Sequence, residues 1–213
     1  MKNILLILFA FISVLTTQSQ TTTVPVIPTE DYLVTISTSY GDMVLLLYNQ
    51  TPLHKANFVK LAQEHFYDGT TFHRVILDFM IQGGDPNSKD SIATNDGMGG
   101  PGYTVPAEFN PILRHDKGAL AAARMGDDAN PARASSGSQF YIVQNKNGTP
   151  FLNDNYTVFG QVISGFDVID QLAQVQVDGA SRPFKDITIK VTAVKMKTKK
   201  IIKLYDCVWF YKV

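Results

Sequence analysis

Apolar residues alternate with polar ones over short stretches along most of this chain, and turn-forming residues separate the stretches. Two apolar runs within Tyr32–Asn49 flank Tyr40-Gly41-Asp42, the signature of a hairpin. Thr51 then offers an N-cap hydroxyl and Pro52 suits the first position of a helix. Phe58, Val59, Leu61, Ala62 and Phe66 keep near-helical spacing until Asp68-Gly69 stops the run. Strand-like pieces follow at FHRVI (72–76), FMIQGG (79–84), YTVPAEF (103–109), SQFYIVQ (138–144) and YTVFGQVI (156–163). Phe166–Val175 predicts a second, shorter helix and Asp186–Val194 a last strand. Many short strands with only two helices argue for one closed barrel or sandwich rather than a doubly wound sheet. No fixed-period repeat interrupts that pattern.

The ends differ from the middle. Lys2 precedes an apolar run, Ile4–Leu15, which is followed by small and polar residues. At about a dozen residues the run is short for a bilayer, whose core needs roughly 20. Residues 1–19 read as a secretory signal removed near Ser19 or Gln20, which predicts an exported protein, periplasmic or secreted, with no stable membrane span afterwards. Residues 20–31 read as a flexible lead-in and 32–195 as the folded domain. Residues 196–213 form a basic and aromatic tail that fits an added strand, an aromatic flap or a protein contact.

Composition narrows the function. The 213 residues are 45% apolar and 18% charged, enough for a sizeable core. Basic and acidic residues both number 19, which argues against a nucleic-acid binder dependent on phosphate neutralisation. The balance is uneven: residues 195–213 hold six lysines and one aspartate and residues 1–19 one lysine, leaving 12 basic against 18 acidic residues between, a net −6. Cys207, the single cysteine, can form neither an internal disulfide nor a thiolate cage, and His54, His65, His73 and His115 include no i, i+4 pair. No metal site is expected.

Several motifs invite chemistry and lose to plainer readings. Gly97–Gly102 spells G-x-G-x-x-G, but β-like residues follow it and Pro101 sits inside it, so no helix start is available for a pyrophosphate. A flexible surface loop beside a site is expected there. Asp127-Asp128 resembles an acid–base pair, yet glycine, alanine, proline and serine surround it, as in a solvated loop. Ser135, Ser136 and Ser138 lack a nucleophile elbow. Arg74 lies in an otherwise apolar strand-like piece, and reads equally as a surface charge or a functional one. It comes near Phe79 and Met80 only if the chain bends at Asp78.

Five segments in order, 66–85, 118–124, 135–142, 151–162 and 165–173, resemble the cyclophilin family of peptidyl-prolyl cis-trans isomerases, and the resemblance spans about residues 32–195. It implies a mainly β fold: a closed eight-stranded antiparallel barrel capped by two α-helices. It implies rotation about Xaa-Pro bonds, with proline-containing peptides or unfolded chains as partners and no cofactor; with the signal reading, the clients are exported proteins, and a monomer is the simplest expectation. The same groove would also serve a chaperone that holds such chains without turning them over. By resemblance Arg74 is the catalytic arginine and Gln82 its partner, while Phe79, Met80, Tyr141 and Leu152 line the proline pocket. Ala123, Arg124 and Gln139 match the peptide groove, and Phe151 and Tyr156 its rim. Phe151 stands where many members carry tryptophan, which implies weak inhibition by cyclosporin. Tyr141, Tyr156 and Arg124 also depart from the common pattern, which leaves peptide preference open.

Overall fold

The computed structural model describes residues 27–213. The expected secretory signal and most of the expected lead-in lie outside the described residues.

The expected hairpin is formed by β1 (Glu30–Thr38) and β2 (Gly41–Leu47), with Gly41 at φ +127 in the turn. A side chain at Gly41 would be strained by that angle and would press on Val168 of a later helix. The first helix, α1 (Pro52–Gln63), starts at its proline and buries His54, Phe58, Val59, Leu61 and Ala62. Six short strands follow: β3 (Arg74–Ile76), β4 (Met80–Gly83), β5 (Thr104–Val105), β6 (Ala119–Ala122), β7 (Ser135–Ser136) and β8 (Phe140–Val143). The chain then runs through β9 (Val158–Ser164), α2 (Phe166–Ala173), β10 (Lys190–Lys197) and α3 (Thr198–Tyr205), and ends in a 3-10 turn, Val208–Lys212. The tail is thus helical, and the α-helices among the described residues number three rather than the expected two.

Eight strands pair in one antiparallel sheet, in the order β10-β1-β2-β9-β6-β8-β4-β3, while β5 and β7 form a separate pair. The expected closed barrel is not completed by strand pairing, because β10 and β3 remain edges. Just before those strands the chain segments do meet: Gly69 N–H donates to Ile189 O, Ile189 N–H to Thr70 O and Phe72 N–H to Ile187 O, around an isolated Thr71–Thr188 bridge. The next partner breaks the register. Val75 N–H donates to Ser181 O, and Ser181 sits at φ +66 in a turn two residues before Pro183, which has no N–H. No ladder can continue through that jump.

Alternation along the strands builds two apolar layers. One face carries Leu45, Leu47, Ile81, Phe140 and Ile142, packed with Phe58, Phe72, Ile169 and Leu172. The opposite face carries Leu46, Tyr48, Met80, Tyr141 and Val143, packed with Ile201, Cys207, Phe210 and Tyr211 of the tail. Both faces are therefore covered, and the tail belongs to the second layer.

Candidate active site

Strand register aligns the polar residues of interest in one row. Arg74 of β3 pairs with Gln82 of β4, Gln82 with Tyr141 of β8, and Tyr141 with Ala121 of β6, so these four side chains share one face. Met80 lies two residues from Gln82 on that face. Phe79 is brought alongside by the tight turn between β3 and β4, in which Asp78 adopts φ +57 and Phe79 N–H donates to Ile76 O. Asn145 fixes the turn by donating to Asp78 O at 2.7 Å.

A relay of amides aims Arg74. Gln139 Nε2 donates to the carbonyls of Gly97 and Gly99 at 2.9 and 2.8 Å, which leaves its Oε1 to accept from Gln82 Nε2 at 3.2 Å. Gln82 Oε1 is then committed to Arg74 Nη1, also at 3.2 Å. The glycine-rich loop expected to be flexible is thus pinned at two carbonyls, and Gly99 N–H donates to Asp85 as well. A side chain at Gly99 would run into the Asp85 carboxylate.

These groups border a cavity of about 670 Å³. Of the residues singled out from sequence, Arg74, Gln82, Phe79, Met80, Ala123, Arg124, Tyr141, Leu152 and Tyr156 line it. Two do not: Gln139 stands behind Gln82, and Phe151, 68% exposed, stacks on Phe79 at 5.8 Å between centroids. Met80 and Tyr141 form a dry floor, at 1% and 5% exposure. Leu152 comes from a 3-10 turn, Pro150–Leu152, whose last N–H groups bond back to Thr149 and Pro150 carbonyls.

Other residues at the site carry no local sequence signal. The Tyr141 hydroxyl bonds to His115 Nε2 at 2.9 Å and the two rings stack, while His115 Nδ1 reaches Asn153 Oδ1 at 2.9 Å. Burial pushes the Tyr141 hydroxyl well above the usual tyrosine range and lowers the His115 imidazole, so both are neutral near pH 7. His73 also borders the cavity, and burial lowers it, opposed by the nearby Asp85 and Asp96 carboxylates. At the far end Arg182 Nε bonds to Asp96 at 2.6 Å; that hydrogen bond holds the guanidinium more firmly charged. Among the described residues no cluster of three histidine, cysteine, aspartate or glutamate side chains is placed to hold a metal.

Comparison with known proteins agrees with this arrangement. Residues 33–194 match the family model described as "Cyclophilin type peptidyl-prolyl cis-trans isomerase/CLD". Peptidyl-prolyl cis-trans isomerase A of Mycobacterium tuberculosis is 40% identical over 174 residues, covering 73% of this chain and 88% of that protein. A Streptococcus pyogenes protein described as a bifunctional phosphatase/peptidyl-prolyl cis-trans isomerase is 38% identical over 192 residues, but the chain spans only 38% of its length. A crystal structure of a cyclophilin-type isomerase from Cryptosporidium parvum superposes with a TM-score of 0.67 at 33% identity, covering 78% of this chain and 98% of that one. The same protein has been crystallised in the presence of the dipeptide Ala-Pro. Sheet order, the guanidinium beside a dry floor and the match across residues 33–194 together place this chain in the cyclophilin-type peptidyl-prolyl cis-trans isomerase family.

Proposed function

We propose that the chain catalyses cis–trans rotation about Xaa-Pro bonds, with Arg74 as the catalytic residue. The observation that carries this reading is the position of Arg74: held by Gln82, on the same sheet face as the buried floor of Met80 and Tyr141. Rotation must break amide resonance, with a barrier of about 18–20 kcal/mol, and takes tens to hundreds of seconds unaided. As resonance is lost the prolyl nitrogen becomes pyramidal and regains its lone pair. A guanidinium donating there binds the twisted form more strongly than either planar form, and Arg74 is always charged. No bond is broken and no cofactor is called for.

Magnitudes divide the work. Bringing tens of seconds to about a millisecond takes on the order of 10⁴-fold, or roughly 5–6 kcal/mol. One charged hydrogen bond contributes about 1.5–3 kcal/mol. The remainder falls to gripping the proline ring against Phe79, Met80, Tyr141 and Leu152 while the acyl side turns. Gln82 holds the arginine fork; Gln139 acts behind it; Ala123, Arg124, Phe151 and Tyr156 bound the path of the peptide. Arg74→Ala is expected to lower kcat/KM roughly 10- to 100-fold. A protease-coupled assay of a proline peptide checks this, and undiminished turnover would remove Arg74 from the role.

Export is part of the same proposal. It rests on the charged start, short apolar run and small residues of 1–19, and points to exported chains as clients in a periplasmic or extracellular setting, with the protein acting as a monomer. No helix among the described residues is long and apolar enough to cross a membrane. Mass spectrometry of the native protein should find the mature chain beginning near Ser19 or Gln20; an intact Met1 would overturn the export reading.

A further inference from the structure

Beside the groove runs a loop, residues 125–134, to which the rotation chemistry assigns no part. Its Asp127 lies between two guanidiniums: Arg124 Nη1 donates to Oδ1 at 2.6 Å and Arg133 Nη2 to Oδ2 at 2.8 Å. Arg124 Nη1 donates to the Met125 carbonyl as well, at 3.0 Å, and both arginines reach Asn155. Arg124 Nε donates to the Asn155 carbonyl and Arg133 Nη1 to the Asn155 side-chain oxygen, each at 2.9 Å. Asn155 immediately precedes Tyr156, and the Arg124 guanidinium lies over the Tyr156 ring at 4.6 Å from its centroid. The Tyr156 ring in turn meets Tyr141 edge-on, at 6.0 Å and 81°. Contacts therefore run unbroken from an exposed loop carboxylate to the floor of the cavity.

Burial shows which member needs the others. The Arg124 side chain is only 5% exposed, and Asp127 is the one carboxylate bonded to it among the described residues. A long, flexible cation in so dry a place is kept in one orientation by the partners of its planar fork. Hydrogen bonds from Arg124 and then Arg133 hold the Asp127 carboxyl below the usual range, as expected of a group shared by two guanidiniums.

We propose that Asp127 is a positioning residue for peptide binding: by bridging Arg124 and Arg133 it holds the guanidinium over Tyr156 and so fixes the aromatic rim of the groove. The proposal rests on the reading of this cavity as the prolyl-peptide site. Losing the carboxylate charge frees Arg124 to turn toward solvent, and Tyr156 loses the cation that orients its face. Because the bridge touches the rim and not Arg74, the effect falls on holding the peptide rather than on rotation.

The test compares wild type with Asp127→Asn, Asp127→Glu and Arg133→Ala in the full chain, titrating each with a blocked Ala-Pro peptide and measuring kcat, KM and the melting temperature. Asp127→Asn and Arg133→Ala should each raise Kd and KM about three- to tenfold, with kcat within about twofold and an unchanged melting temperature. Asp127→Glu, which keeps the charge, should stay within about twofold of wild type in every measure. Unchanged Kd and KM in Asp127→Asn, an equal loss in the Glu variant, or a loss that tracks melting would overturn the proposal. So would a wild type that does not bind the peptide at all. A wild type that binds without turnover would sink the isomerase reading alone, since the Kd comparison still decides the role of Asp127.

Discussion

Tyr141 combines two functions in one side chain. Its ring is part of the cavity floor, and its hydroxyl turns away to His115. The hydrogen-bond directions follow from one oxygen. Asn153 Oδ1 accepts from the His115 backbone N–H and so also accepts from Nδ1–H, which leaves Nε2 to accept from the tyrosine. Tyr141→Phe keeps the ring but strands a buried imidazole nitrogen. The expected cost is about 1–3 kcal/mol of stability, read from urea unfolding, with peptide affinity within about twofold of wild type. Sequence alone marked Tyr141 as a departure from the family pattern but not what its hydroxyl does, because His115 and Asn153 are joined to Tyr141 only by folding. The pairing of Arg74 with Gln82 was legible only through the family resemblance; the residues alone offered a bend at Asp78, and the fold shows that this bend returns one strand onto the other with both side chains on one face. The Arg133 link to Asn155 spans 22 residues of loop and strand, and no pattern in the chain announces it.

At the scale of elements, α3 shows tertiary contact outweighing local preference. Ile201, Ile202, Val208 and the aromatic run favour extended backbone, which kept an added strand among the readings of the tail. Yet within α3 Ile201 is fully buried, while Lys199, Lys200, Lys203 and Leu204 face solvent. The lysines keep the outer arc wet, and the apolar side covers a sheet face that would otherwise be bare. The anchor is Phe210, stacked on Tyr48 at 4.6 Å and 13°. Phe210→Ala should destabilise the protein by about 3–5 kcal/mol in denaturant titrations while leaving kcat/KM of the folded fraction within about twofold. A loss below about 1 kcal/mol would mean that the tail docks without supporting the sheet. The open edge between β3 and β10 was equally hidden, because strand count predicts eight strands and not whether the first meets the last. That is decided by the turn at Ser181 and by Pro183, whose φ angle and missing N–H act only when an opposite strand is present.

For the molecule as a whole, histidine burial sets the response to acid. His54, His73 and His115 are each at most 6% exposed, and desolvation lowers all three below the ordinary value near 6.5. Hydrogen bonding to Glu108 opposes the shift at His54 without reversing it. The folded protein thus binds these protons less readily than the unfolded chain does. The associated stability is fully present above pH 6.5 and is lost as pH falls from there through the lowered folded-state values. Urea midpoints measured from pH 8 down to pH 5 should hold steady and then decline; a flat profile would show that these imidazoles titrate alike in both states.

One sulfur atom gives access to a different motion. Cys207 is completely sealed beneath the tail, and burial pushes its thiol up, away from the reactive thiolate. A maleimide can therefore reach it only in molecules in which this buried layer has opened. The chain carries its own clock for that opening, set in the same apolar layer that holds Met80 and Tyr141 at the cavity floor.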